Sequence, residues 1–251
     1  MDALTVRTSA LTTPHLSNET THSSAVDLEF LKTATQELNN PITTIKTALT
    51  LLSSPTLKSQ QRERYLQMIG QACERQSHLI NDVFKLLELQ IAPQSIGLAK
   101  VQLWNLVPGV VSTYQPLATE HDILLAYTVA NHLPPVLAID SHLKQVLISL
   151  LSNRIQCAES RRKAASSRIW VTANQCSDDK VALIVQDDGR GIAPSVLPQV
   201  FDSFNRNNSD GSGLSLTLVQ QLLIQCGASI SVSSTPGKGT AFTILLKVAA
   251  D

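Results

Sequence analysis

An acidic residue and two closely spaced glycines, Asp187, Gly189 and Gly191, follow an apolar run that predicts a strand. Glycines two residues apart allow a tight turn and the close approach of a flat ligand. A carboxylate at the end of the strand can accept a hydrogen bond from an exocyclic amine. The segment QDDGRGI therefore predicts a site for a flat ring that carries an amine, although such segments also form plain turns.

A second glycine-bearing segment, Gly211 to Leu214, opens the next predicted helix. Backbone N–H groups at the start of a helix can bind phosphate groups, and an ordinary glycine cap is the alternative explanation. Upstream, Asn153 lies on the helix that precedes the strands. Its amide oxygen is a suitable ligand for a magnesium ion that bridges phosphates. Taken alone, Asn153 is also explained as a buried or capping residue.

Two long amphipathic helices precede these segments. Apolar residues recur at intervals of three and four in residues 31–52 and again in residues 65–86, on either side of a proline-bearing break. The short connection predicts an antiparallel hairpin. Two helices alone bury their apolar stripes poorly, so we expect two hairpins to pair as a dimeric four-helix bundle. Packing of a single hairpin on the following domain is the alternative.

The chain divides into four predicted parts. Residues 1–26 are rich in serine and threonine and predict a flexible tail. Residues 27–91 form the hairpin, residues 92–101 a linker, and residues 102–251 a catalytic-like domain. Helical and strand patterns mix in this last part in an order that predicts an α/β sandwich, with a mainly antiparallel sheet and helices on one face. The predicted fold class is therefore α+β.

Composition narrows the classes of function. The net charge is zero, which gives no electrostatic reason to expect binding of nucleic acid. The four cysteines are far apart in the chain, which predicts neither a disulfide framework nor a zinc site. No apolar run approaches the ~20 residues of a membrane helix, and the N-terminus lacks a signal-peptide pattern. We therefore expect a cytoplasmic protein with no membrane span.

Five segments in a fixed order resemble the two-component sensor histidine kinases. The segment LKQVLISLLSN resembles the N box, QDDGRGI the D box, FDSFNR the F box and GSGLSLTLV the second glycine box, and PGKGTAFTILL follows them. The resemblance covers residues 27–248. It implies a Bergerat-type ATP-binding fold after a dimerisation and phosphotransfer hairpin.

The resemblance also implies a site for ATP and Mg²⁺. Asp187 would contact the adenine amine, Asn153 would hold Mg²⁺, and the glycine loops would contact the phosphates under a short lid at residues 205–210. The F box matches the family through Phe201, Phe204 and Arg206. The residues that match the family's nucleotide-binding positions are Asn153, Asp187, Gly189, Gly191, Ile192, Gly211, Gly213, Leu214 and Thr240.

The stretch Gln36-Glu37-Leu38-Asn39-Asn40-Pro41 departs from the family pattern, which has the phosphoacceptor histidine at the position of Gln36. The nitrogen of a glutamine amide is delocalised into its carbonyl, and it is not a useful nucleophile. We therefore predict a protein that binds ATP and Mg²⁺ without phosphorylating itself at the usual site.

Glu37 and Asn40 keep a pattern that the family links to dephosphorylation of a response regulator. An amide can orient the water that attacks an aspartyl phosphate, and this role does not need the histidine. A solvated surface asparagine explains Asn40 equally well. The expected partners are a response regulator and either a second copy of this chain, as a homodimer, or a histidine kinase, as a heterodimer.

Other departures concern the nucleotide segments. Ser149, Arg154 and Gln156 stand where asparagine, alanine and lysine are common in the family, and Ser215 replaces a glycine. Two alternatives remain for the function. The chain is an active kinase whose acceptor is His78 on the second helix, or it is a non-catalytic module in which ATP sets the angle of the hairpin for a partner.

Overall fold

A computed structural model describes residues 28–91, 97–130, 132–159, 167–204 and 213–250. Two helices come first, α1 (Leu28–Leu52) and α2 (Ser59–Ile91), and they pack against each other along their length. Several residues at the predicted three-and-four spacing, among them Ala34, Ala48 and Leu79, are buried. This confirms the helical hairpin. Neither these helices nor any other helix in the described ranges is long and apolar enough to cross a membrane.

The rest of the described chain forms the predicted α/β sandwich, which is confirmed. Its elements in chain order are β1 (Ala99–Val101), α3 (Leu103–Glu120), β2 (Ile123–Val129), β3 (Val136–Ala138), α4 (Asp140–Glu159), β4 (Ser167–Ser177), β5 (Lys180–Asp187), a short 3₁₀ helix (Leu197–Gln199), α5 (Ser215–Gln225), β6 (Ser229–Thr235) and β7 (Gly239–Lys247).

The main sheet has five strands in the order β2-β4-β5-β7-β6. Strand β2 runs parallel to β4, and the other neighbours are antiparallel. Alternate residues of the inner strands β4, β5 and β7 are buried, as expected for a sheet with one face against a core. Leu147 and Leu150 of α4, Leu183 of β5 and Phe242 of β7 are fully buried in that core.

Strands β1 and β3 correct the sequence interpretation. The predicted linker, residues 92–101, ends in β1, which pairs antiparallel with β3 so that Val101 faces Val136. Residues 99–101 are therefore a strand of a separate two-stranded sheet, and Val101 is buried. Three-residue strands contain too few residues to show a period of two, which is why the sequence pattern missed both. The predicted tail, residues 1–26, lies outside the described residues.

The last helix ends just before a glycine. Helix α5 stops at Gln225, and Gly227 follows with a φ of 62°. This left-handed conformation is the one that a glycine after a helix supplies. Backbone N–H groups of Cys226 and Gly227 bond to carbonyl groups of the last turn, which satisfies acceptors that the end of the helix leaves open.

Candidate functional site

Asp187 is the last residue of β5, an inner strand, and the sheet places it between two partners. It faces Ile169 in β4 and Thr240 in β7. Only 8% of Asp187 is exposed. A carboxylate in such a place needs hydrogen-bond donors, and the N–H of Gly189 donates to Asp187 Oδ1 at 2.7 Å. The strand end thus holds a fixed, hydrogen-bonded carboxylate.

The turn after Asp187 is attached to the hairpin of β6 and β7. The N–H of Ile192 donates to Ser234 Oγ at 2.8 Å, and the N–H of Gly237 donates to the carbonyl of Arg190 at 2.7 Å. Gly191 has a φ of 70°, and a Cβ there would overlap the carbonyl of Thr235. Only glycine fits this close approach without strain.

Thr240 lies beside Asp187 in the neighbouring strand and is 2% exposed. Its hydroxyl is 2.9 Å from Ser234 Oγ. Ser234 Oγ also donates to the carbonyl of Gly239 at 2.9 Å. The predicted residues Asp187, Gly189, Gly191, Ile192 and Thr240 are therefore brought together at one end of the sheet, and Ser234 is a connecting residue that the sequence analysis missed.

Helix α4 carries Asn153 and Arg154 next to this end of the sheet. Asn153 is half-buried. Its neighbour Ser152 donates to Tyr114 Oη of α3 at 3.0 Å, which fixes this turn of α4 against α3. Arg154 Nη1 donates to Asp187 Oδ2 at 3.2 Å, and the Arg154 guanidinium lies over the Phe242 ring at 5.2 Å from its centroid. In the sequence, Arg154 is visible only as a departure from the family pattern. The sequence signal for this contact was an arginine beside Asn153, in a helix that packs on the strand of Asp187.

The second glycine segment connects the sandwich to the hairpin. Gly213 has a φ of 72°, and its carbonyl accepts a hydrogen bond from the N–H of Phe204 at 2.9 Å. Leu214 is fully buried at the start of α5. Ser215 Oγ donates to Asp82 Oδ2 of α2 at 3.0 Å. The residue that replaces a family glycine thus makes a contact with the other part of the protein.

The aromatic residues of the F box contact the core of the sandwich on one side and the hairpin on the other. Phe201 packs edge to face against Phe242 with ring centroids 6.4 Å apart. Phe204 packs against Phe30 of α1 with centroids 5.3 Å apart. These contacts join the segment before the second glycine box to the core and to the hairpin. The predicted sites at Gly211 and Arg206 and the predicted lid at 205–210 lie outside the described residues.

The hairpin residues Gln36, Glu37 and Asn40 lie on α1, outside the cluster around Asp187. Gln36 and Asn40 are exposed, and Glu37 is half-buried. Pro41 is buried within the helix, which continues through it. His78, the alternative acceptor, is exposed on α2. Gln36 thus occupies a position on α1 that is accessible to another protein.

Two titratable groups are buried away from this cluster. Burial lowers the pKa of His142 in α4, and its Nδ1 has no hydrogen-bond partner among the described residues. Burial raises the pKa of the Cys226 thiol, although Cys226 Sγ accepts a hydrogen bond from the N–H of Ile139 at 3.4 Å. Both groups are therefore expected to be uncharged at neutral pH.

Two family models match the chain. Residues 27–90 match the His Kinase A (phospho-acceptor) domain, and residues 138–250 match the histidine kinase-, DNA gyrase B- and HSP90-like ATPase family. Gln36 lies within the first match. The Asp187 cluster and the second glycine segment lie within the second match.

Curated relatives agree with these matches. The sensor histidine kinase ZraS of Salmonella typhi is 28% identical over 214 residues, which is 85% of this chain and 44% of that protein. The sensor histidine kinase YcbM of Bacillus subtilis (strain 168) is 29% identical over 224 residues, 86% of this chain and 70% of that protein. The chain thus spans less than half the length of ZraS.

Solved structures share the fold. Histidine kinase ThkA in complex with the response regulator TrrA has a TM-score of 0.70 at 20% identity, covering 88% of this chain and 61% of that one. Full-length ShkA in complex with AMPPNP has a TM-score of 0.62 at 25% identity, covering 90% of this chain and 47% of that one.

Proposed function

Because the chain belongs to the two-component histidine kinase family, we propose that it binds ATP and Mg²⁺ at the Asp187 cluster without phosphorylating itself on α1. The observation that carries this proposal is a contrast between two sites. The residues around Asp187 are held in a connected arrangement, whereas the exposed acceptor position on α1 is Gln36.

The Asp187 cluster fits a purine nucleotide chemically. A buried carboxylate at the strand end is an acceptor for an exocyclic amine, and Thr240 places a hydroxyl beside it. The tight turn at Gly191 lets backbone lie where a side chain would otherwise stand. Gly213 and Leu214 precede the N-terminus of α5, and the N-terminus of a helix favours phosphate. These residues bind and orient the nucleotide in the proposal.

Magnesium is proposed to enter with the phosphates rather than to occupy a site of its own. Among the described residues, no group of three or more histidine, cysteine, aspartate or glutamate side chains could hold a metal ion. Asn153 offers one neutral oxygen, which suits Mg²⁺ that keeps several other ligands from phosphate and water. The ion would neutralise part of the phosphate charge there.

The missing histidine removes the nucleophile, and nothing in the chemistry of an amide replaces it. We propose instead that the exposed face of α1 acts on a response regulator. Asn40 lies one helical turn after Gln36, and both side chains are exposed. In this proposal the Asn40 amide orients a water molecule toward the phosphoaspartate of the regulator. Glu37 is the acidic residue of the same sequence pattern.

A dimer is proposed from the apolar surface of the hairpin. Large apolar side chains are exposed at Ile42 and Leu49 of α1 and at Leu66, Ile80 and Phe84 of α2. The first pair is seven residues apart and Leu66 is fourteen residues from Ile80, which is the spacing of a helix–helix interface. A second hairpin, from another copy of this chain or from a related kinase, would cover these side chains.

One calorimetric and one enzymatic measurement test the proposal. Titration with Mg–ATP should give saturable binding that is lost in Asp187→Asn and kept in Asp178→Asn, which alters an exposed carboxylate in the turn between β4 and β5. Dephosphorylation of a phosphorylated response regulator should fall at least about tenfold in Asn40→Ala, a loss typical of one orienting group. The matched control is Asn39→Ala, an exposed asparagine one residue away. Equal effects of the two alanine variants would refute the role of Asn40.

A further inference from the structure

We infer that Arg154 is a built-in competitor for the base-recognition carboxylate, so that ATP binds only after the Arg154 guanidinium leaves Asp187. The inference rests on the proposed nucleotide site and adds a residue that controls it. Arg154 Nη1 and Asp187 Oδ2 form an ion pair and are 3.2 Å apart.

Both oxygens of Asp187 are engaged. Oδ1 accepts the N–H of Gly189 at 2.7 Å, and Oδ2 accepts Arg154 Nη1. The first of these bonds is part of the turn, because its donor is the backbone N–H of Gly189, just after the strand. The second comes from a side chain that can rotate away. Each oxygen has a second lone pair, but an amine that approaches Oδ2 from the side of Phe242 meets the Arg154 guanidinium and must displace it.

The ion pair is sheltered from water. The side chains of Arg154 and Asp187 are 10% and 11% exposed. At this exposure the attraction between the two charges is screened far less than at the surface. The guanidinium also carries a full positive charge, which an exocyclic amine lacks, so its hydrogen bond to Oδ2 gains a Coulombic attraction. A neutral amine thus competes poorly with the guanidinium for Oδ2.

Phe242 holds the guanidinium in this position. The Arg154 guanidinium carbon lies 5.2 Å from the centroid of the ring, within the range of a cation–π contact. Phe242 is fully buried, and Phe201 packs against its edge. A planar group with N–H donors thus rests on an aromatic ring and donates to Asp187. This is the same combination of contacts that a planar base with an amine would make.

The sequence explains why the competitor is present. Alanine, which is common at this position in the family, reaches neither Asp187 nor Phe242. Arginine reaches both, since its guanidinium is at the end of a long side chain on the helix that packs over β5. Removal of the guanidinium should therefore leave Asp187 free to accept an amine.

The test measures affinity for Mg–ATP and Mg–ITP by calorimetry in four proteins: wild type, Arg154→Met, Asp187→Asn and Arg168→Met. Methionine keeps most of the volume of the arginine stem and removes the charge. Arg168 is an exposed arginine on β4, so its substitution removes the same charge near the site without freeing Asp187. Inosine has a keto oxygen where adenine has its amine.

We expect Arg154→Met to bind Mg–ATP at least about tenfold more tightly than wild type, which corresponds to about 1.4 kcal/mol. Affinity for Mg–ITP should not rise, because the freed carboxylate accepts an amine and not a keto oxygen. Arg168→Met should match wild type. Unchanged or weaker ATP binding in Arg154→Met, with binding intact in wild type, would overturn the inference and leave the proposed nucleotide site standing.

A second measurement tests the ion pair without nucleotide. Urea midpoints of Arg154→Met, Asp187→Asn and the double variant form a cycle. The inference expects the double variant to shift the midpoint by clearly less than the sum of the single shifts. Additive shifts would show that the two side chains do not interact and would overturn it. Absence of ATP binding in every protein, Arg154→Met included, would refute both the nucleotide site and the competition.

Discussion

The Gly239→Ala substitution should lower the stability of the protein by more than the cost of an unfavourable φ alone. Gly239 begins β7 with a φ of 104°, and a Cβ there would overlap the backbone carbonyl of Asp187. Gly237, two residues earlier in the same turn, has a φ of 78° but no atom within 4 Å of the equivalent position. The two glycines thus share an unfavourable φ and differ in crowding.

The magnitudes follow from this difference. A left-handed conformation costs a residue with a Cβ about 1–2 kcal/mol, and this loss applies to both positions. Overpacking of a filled site adds about 1–3 kcal/mol and applies only to Gly239→Ala. We therefore expect a loss of about 1–2 kcal/mol for Gly237→Ala and about 2–5 kcal/mol for Gly239→Ala.

Urea unfolding followed by tryptophan fluorescence is a suitable assay. The two tryptophans of the chain are Trp104 and Trp170, in α3 and β4, so the signal reports the sandwich and not the hairpin. Gly239→Ala should also weaken binding of Mg–ATP, because the strand end that carries Asp187 must move. Equal destabilisation of the two variants, with ATP affinity unchanged in both, would refute the assignment of crowding at Gly239.

Two further predictions concern the buried histidine and the contact between the hairpin and the sandwich. Burial lowers the pKa of His142 below its ordinary value of 6.5, so the unfolded chain binds a proton that the folded chain does not. Stability should be full above pH ~6.5 and should fall with decreasing pH, by at most about 1.4 kcal/mol per pH unit. Thermal melts of His142→Leu should lack this part of the pH dependence, and an identical pH profile in the variant would refute it. Ser215→Ala removes the hydrogen bond to Asp82 and should speed amide hydrogen exchange in the segment of α2 around Asp82, by a factor of about 2–12 for a loss of 0.5–1.5 kcal/mol. Ser231→Ala, which changes an exposed hydroxyl of β6, should leave that exchange unchanged.

Periodicity and turn chemistry predicted most of the fold. The apolar stripes of α1 and α2 are long enough to show a period clearly. Strands β1 and β3 escaped because three residues give no period. Their pairing joins residues 99–101 to residues 136–138, which are far apart in the sequence.

Some contacts of the candidate site were predictable from the sequence, and others were not. Asp187, Gly189 and Gly191 are close in the chain, so their local order already predicted their arrangement at a strand end. The partners of Asp187 and Ser215 are Arg154 and Asp82, which are far away in the sequence. Such contacts depend on how α4 packs over the sheet and how α2 packs against α5, and spacing along one chain does not contain that information.

The most direct test of the central claim is intact-protein mass spectrometry at neutral pH after incubation with Mg–ATP. We predict no phosphate adduct on the wild-type protein. Gln36→His should gain an acid-labile adduct that is lost when Asp187→Asn is added, because the substitution restores an imidazole at an exposed position on α1. An adduct on the wild-type protein that disappears in His78→Ala would contradict the account and identify a displaced acceptor on α2.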